Sequence, residues 1–127
     1  RIVSECFCKW GGKYKTREFS NSEEFNGYIN ERIHSWNRYE FFHFTPQYLY
    51  THDADNRQIV DHILRYENLQ EEFGNLMKRY GLDIQLNIHE NRSEKLYSVE
   101  DINQENIDLI NEIYHYDFVF FDYAKLQ

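Results

Sequence analysis

The sequence predicts an α/β fold, mostly helical with one or two strands, and three observations predict it. A β-branched and apolar run, Ile59, Val60, Ile63 and Leu64, leads straight into an amphipathic stretch from Leu69 to Tyr80. Further apolar stripes at helical spacing stand before and after that unit. The chain has 127 residues, enough for one domain with a real core but not for two, with no internal repeat and no linker.

The unit spans Gln58 to Gly81, QIVDHILRYENLQEEFGNLMKRYG. Its first part, interrupted by Asp61 and His62, is compatible with a mostly buried strand. Asn68 is the expected N-cap and Glu71 completes a box-like start. Leu69, Phe73, Leu76, Met77 and Tyr80 then fall on one helical face. Lys78 and Arg79 suit the negative end of the helix dipole, and Gly81 suits a left-handed terminator. Sites in α/β sheets gather at strand carboxyl ends, so the turn Arg65 to Leu69 is a place to look for chemistry.

In chain order, Arg1 to Trp10 (RIVSECFCKW) carries Ile2, Val3, Cys6, Phe7 and Trp10 at helical spacing, with Ser4 on the flank and Gly11-Gly12 ending the helix. Lys13 to Ser20 is a loop. Ser20 with Glu23 reads as a capping box for a helix whose apolar face is Phe25, Tyr28, Ile29, Ile33 and Trp36. Glu40 to Tyr50 is mostly aromatic, and Pro46 forbids a regular strand interior, which makes it irregular and partly buried. Residues 51 to 56 (THDADN) form a turn, and LDIQLNI after Gly81 is a loop or short extended piece. The polar loop ENRSEK follows. From about Glu105 a last helix shows Ile107, Ile110, Ile113, Tyr114 and Phe118. The closing aromatic tail, Phe118 to Tyr123, is too rich in rings to be left in water.

Aromatic residues make up 18% of the chain, with eleven Tyr and ten Phe against five Gly and one Pro, which is not a disordered composition. The formal net charge of −8 argues against a general nucleic-acid binder. An anionic small ligand stays open, because a local cluster of Arg and amides can bind phosphate on an acidic protein. No apolar run approaches bilayer length, and no stretch reads as a signal peptide. The start at Arg1, inside a helical pattern, is expected from processing or truncation. Cys6 and Cys8 stand too close for an ordinary zinc pair and read as reduced cysteines on or near a helix.

Several residues invite chemistry. An EF-hand loop from Asp53 would need Gly at its sixth position and an acid at its twelfth, where Gln58 and Leu64 stand, so calcium is rejected. His52 and Asp53, with His62, could serve a transition metal in a hydrolase, against a solvated turn. His43, among Phe41, Phe42 and Phe44, reads from periodicity as a core residue with one satisfied nitrogen. Its alternative is a proton shuttle or substrate contact. Arg65 beside Glu67 is an ion pair or an anion contact. Arg1 and Ser4, one turn apart, could hold a phosphate by guanidinium and hydroxyl donors.

The order RIVSxxFxKW, HFTPQ, IxRYENLxxEF, LNxxxNRSxxxY and INxIYxxDFxFFDY covers nearly the whole chain. Together these pieces resemble the carboxy-terminal half of the carbohydrate sulfotransferases, the Golgi-type family and its bacterial and viral relatives. The resemblance implies a nucleotide-kinase-like, P-loop-type fold with a parallel sheet flanked by helices. It implies 3′-phosphoadenylyl sulfate as donor, a carbohydrate hydroxyl as acceptor, and no metal. Arg1 and Ser4 fit the end of the family's 3′-phosphate motif, which makes Ser4 a donor to that phosphate. Arg92, Ser93 and Lys95 sit where relatives close over the nucleotide. HFTPQ looks like the family's His-Trp-x-Pro-Gln, with Phe44 in place of Trp, which raises His43 to a site-lining candidate. RYENL resembles another family motif and makes Arg65 a substrate-contact candidate.

The loop that cradles the 5′-phosphosulfate has no counterpart here, since Gly11-Gly12-Lys13 lacks its spacing and the strand before it. The resemblance therefore implies a single unit, 1–127, forming the carboxy-terminal part of a larger domain and inactive alone. The compartment would be the Golgi lumen for a eukaryotic parent and the cytoplasm for a bacterial or viral one. The rival expectation is a non-catalytic, acidic, aromatic-rich interaction module, with rings of the Glu40 to Tyr50 segment exposed.

Overall fold

The computed structural model describes residues 2–6, 19–37, 43–86 and 96–127. Five helices are described: α1 (Ile2–Cys6), α2 (Ser22–His34), α3 (Leu69–Arg79), α4 (Gln104–Ile113) and α5 (His115–Phe120). Short 3-10 turns occupy Gln47–Tyr50, Tyr66–Asn68 and Val99–Asp101. No helix among the described residues is long and apolar enough to cross a membrane. The chain divides into two compact units, one of Arg1–Tyr50 with Asn91–Gln127 and one of Thr51–Glu90.

The first unit holds the core. α2 starts one residue later than the Ser20–Glu23 box would place it. Asn21 is the N-cap, its side-chain oxygen accepting from the Glu24 amide at 2.9 Å, while Glu24 reaches back to accept from the Ser20 amide at 2.9 Å. The cap resembles a capping box shifted by one residue, except that Glu24 returns to the amide before the cap, that of Ser20, rather than to the cap itself. The shift leaves the apolar face as read: Phe25, Ile29 and Ile33 are fully buried. Phe19, ahead of the cap, meets Phe25 edge-on at 5.5 Å, and Tyr97 stacks on Phe25 at 4.8 Å. Val3 and Cys6 of α1, Phe44, and Ile102, Ile107, Ile110 and Tyr114 complete one cluster.

α2 packs on α4. Their joint is polar at its centre. Asn26 donates to the carbonyls of Ser22 at 2.9 Å and Asp101 at 2.8 Å, and accepts from the Asn103 amide at 2.8 Å. Asn106 donates to the Asn26 carbonyl at 2.9 Å and accepts from Asn30 at 3.1 Å. Both amides are buried, and such groups are tolerated in a core because each polar atom finds a partner.

The single last helix expected from Glu105 is two. Asn103 caps α4 by accepting from the Asn106 amide at 3.0 Å. At Tyr114 the backbone leaves the helical basin, with φ −96° and ψ 20°. Hydrogen bonds on both sides survive, Tyr114 to Ile110 at 2.9 Å and Phe118 to Tyr114 at 3.1 Å, so α5 follows α4 directly across a corner at Tyr114. The aromatic tail is divided: Phe118, Phe120 and Phe121 are half-buried, whereas Val119 and Tyr123 are exposed. Asn111 exchanges two hydrogen bonds of 2.9 Å with the Leu126 backbone, drawing the tail back to α4.

The second unit departs most from expectation. The segment read as a buried strand, Ile59 to Leu64, is not one; apart from an isolated antiparallel bridge between His52 and Gln58, no strand pairing occurs among the described residues. A strand needs a neighbouring backbone to satisfy its amides. Here local groups serve instead: the Ile59 amide donates to the Thr51 carbonyl at 2.8 Å, and the Gln58 side chain donates to the Val60 carbonyl at 2.7 Å. Ile59 is 62% exposed. The turn before it forms as expected, with Asp53 Oδ1 accepting from the amides of Asp55 and Arg57 at 2.9 and 2.8 Å.

α3 covers the expected residues. Asn68 stands at its N-cap without a side-chain cap bond; Glu72 instead reaches back across the 3-10 turn to accept from the Arg65 amide at 2.7 Å. At the other end Gly81 has φ 68°. Its amide donates to the Lys78 carbonyl at 3.0 Å and that of Leu82 to the Met77 carbonyl at 2.9 Å, the pair of hydrogen bonds of a Schellman terminator.

Candidate functional site

His43 opens the segment HFTPQ, and this segment is held by the α4–α5 corner. Phe44 is 5% exposed and Pro46 is fully buried, while His43 itself is half-buried. The Tyr114 hydroxyl, at the corner, donates to the Phe44 carbonyl. One helical turn on, Asp117 accepts from the Gln47 amide through Oδ2 at 2.8 Å and from the Tyr48 amide through Oδ1 at 2.7 Å. Those two amides open the 3-10 turn Gln47–Tyr50 and have no partner within it, so the carboxylate acts as a bidentate cap supplied from 70 residues away. Around it the Tyr48 ring leans on Tyr116 at 5.1 Å, and Tyr116 stacks on Phe120 at 5.4 Å. Pro46 and this aromatic packing hold residues 44–48 in place without a regular hydrophobic period.

Ser4 lies on α1, exposed between the buried Val3 and Cys6. The two buried neighbours belong to the cluster that also holds Phe44, so the elements bearing Ser4 and His43 share one core. Arg1, Arg92, Ser93 and Lys95 lie outside the described residues. Arg65 belongs to the second unit, half-buried at the entrance of the 3-10 turn, its amide held by Glu72.

The metal candidates form no ligand cluster among the described residues. Asp53 Oδ1 is engaged by its own loop. His62 Nε2 stands 2.8 Å from the Tyr80 hydroxyl, an edge-to-face ring pair. No group of three or more His, Cys, Asp or Glu among the described residues could hold a metal ion. A depression of about 430 Å³ runs along the α2–α4 joint, lined by Ser22, Glu23, Asn26, Asn30, Glu105 and Asn106. Its buried amides are engaged with one another and its rim carries two carboxylates, so it is a poor seat for a phosphate or sulfate.

Tyr114 and Asp117 are the residues that reading by residue type passed over. The sequence shows only that they share one helix face, as an i, i+3 pair does.

A helical domain with a pinned histidine turn is compatible with several chemistries. The model of the Sulfotransferase family matches residues 1–124, and the chain belongs to that family. No curated protein and no solved structure matches it.

Proposed function

We propose that the chain serves transfer of a sulfuryl group from 3′-phosphoadenylyl sulfate to a carbohydrate hydroxyl, as the carboxy-terminal part of a P-loop-type domain. The family match over residues 1–124 carries this reading. Ser4 and Arg1 contact the donor's 3′-phosphate, and Arg92, Ser93 and Lys95 close over the nucleotide. The His43 turn lines the acceptor side, with Arg65 as a substrate contact. The exposure of Ser4 on an anchored helix supports its part: the hydroxyl is open to a ligand while Val3 and Cys6 hold the backbone.

In the reaction the acceptor oxygen bonds to sulfur as the bond from sulfur to the bridging phosphate oxygen breaks, and the acceptor proton leaves to a base. His43 is the catalytic candidate in this chain, as a proton shuttle or substrate contact on the acceptor side. Negative charge on the bridging and equatorial oxygens calls for cationic and amide donors. The 5′-phosphosulfate needs donors of its own, and none of the residues named here is assigned to it.

The test is calorimetric titration of adenosine 3′,5′-bisphosphate into protein that includes sequence upstream of Arg1, with adenosine 5′-monophosphate as control. Preference for the bisphosphate is expected, and Ser4→Ala should weaken it by about tenfold, the effect of one hydrogen bond to a charged group. Equal affinity for both nucleotides in a folded protein would overturn the reading.

One observation favours a second reading, an interaction module. No described residue from 51 to 86 is buried, and Ile59, Tyr66, Leu82 and Ile84 are exposed. Sedimentation decides: self-association without bisphosphate binding supports it, and a monomer that binds bisphosphate counts against it.

A further inference from the structure

We infer that Tyr114 and Asp117 are positioning residues for His43. The inference rests on the proposed acceptor role of that turn. Its grounds are three hydrogen bonds that hold both ends of a five-residue segment to one helical corner. At the first end the Tyr114 hydroxyl donates to the Phe44 carbonyl, next in sequence to His43. At the second, the two oxygens of Asp117 accept from the amides of Gln47 and Tyr48 at 2.8 and 2.7 Å.

Between the ends stand Thr45 and Pro46. The proline has a fixed φ and is fully buried, so little torsional freedom remains in the span. Tyr114 and Phe44 are themselves in the core, at 7% and 5% exposure, so the first end is tied to the part of the unit least free to move. His43 is thereby the partly accessible end of a segment whose next five residues are fixed. A group that relays a proton or contacts the substrate has to sit within hydrogen-bond reach of the reacting hydroxyl, and small displacements of such a group are costly in rate. A carboxylate is the group suited to the second end, because only it accepts with both oxygens. An asparagine there would turn a donor toward one of the two amides.

The test uses the complete protein with labelled histidine, and reads the His43 ring resonances by NMR beside steady-state sulfuryl transfer. His43→Ala assigns the resonance. In Asp117→Asn and Tyr114→Phe the His43 signals should shift or broaden, while those of His34 and His62 stay in place and report an intact fold. The acceptor kcat/KM should fall by about tenfold or more in both variants, with affinity for adenosine 3′,5′-bisphosphate unchanged. An unmoved His43 signal, or bisphosphate affinity falling in step with kcat/KM, would overturn the positioning role. Should Asp117→Asn fail to fold, Tyr114→Phe decides alone, since it removes one oxygen and keeps the ring in the core. Full activity in His43→Ala would overturn the acceptor reading. The resonance would then still decide whether the corner holds the turn.

Discussion

α2 and α3 are alike as sequences and unlike as structures. They have 13 and 11 residues, acids in the first turn and bases in the last, and each carries an apolar stripe at helical spacing. α2 buries Phe25, Ile29 and Ile33 completely, because α4 lies against it and the amides of Asn26 and Asn106 join the two. α3 buries no residue; Leu69, Phe73, Leu76 and Met77 are half-covered and Tyr80 is exposed. Amphipathicity therefore states which face of a helix gains from leaving water. Whether that gain is realised depends on what the chain brings opposite it.

The sharpest test of that contrast is a pair of truncations. Ile29→Ala should cost about 2–5 kcal/mol in denaturant unfolding, the range for emptying a closed core site. Leu76→Ala should cost about 1 kcal/mol or less, since part of its surface is already in water. Equal losses would mean that the α3 stripe is as well covered as that of α2. Next in size is Asn26→Ala. It deprives the Asp101 carbonyl, the Asn103 amide and the Asn106 side chain of a partner, and about 2–3 kcal/mol of stability should go with it. A neutral result would show that water replaces the amide and that the joint is not closed.

The smallest effect sharpens the comparison at the helix starts. Asn21→Ala removes a cap bond of 2.9 Å and should cost about 1 kcal/mol. Asn68→Ala, at the equivalent position of α3 but with no side-chain cap bond, should change stability by no more than about 0.5 kcal/mol. Thermal unfolding of the two variants side by side reads the difference, and a larger loss at Asn68 would reverse it.

Much of what is local was legible. Gly81 takes the left-handed conformation read from its place after Lys78 and Arg79, because a helix end is decided within one turn of chain. The α2 cap was legible in kind and missed by one residue, since Ser20-Asn21 and Glu23-Glu24 each offer two equivalent choices. The Ile59 to Leu64 strand was not legible, because a strand is a property of two segments and this one has no partner among the described residues. At the candidate site, His43 could be singled out by its neighbours. That Tyr114 and Asp117 hold its turn could not, because the groups that meet are 69 or 70 residues apart.

What the sequence determined by itself, then, is where helical stripes run, the face each wants buried, and the residue types able to cap, donate or take a proton. These depend on 3.6-residue periodicity and on groups a few residues apart. Only the tertiary structure decided which stripe found a partner, that Asn26 and Asn106 are buried rather than solvated, and that HFTPQ is fastened to the α4–α5 corner. Those are contacts between distant segments, whose energies exist only once the chain entropy that separates them has been overcome.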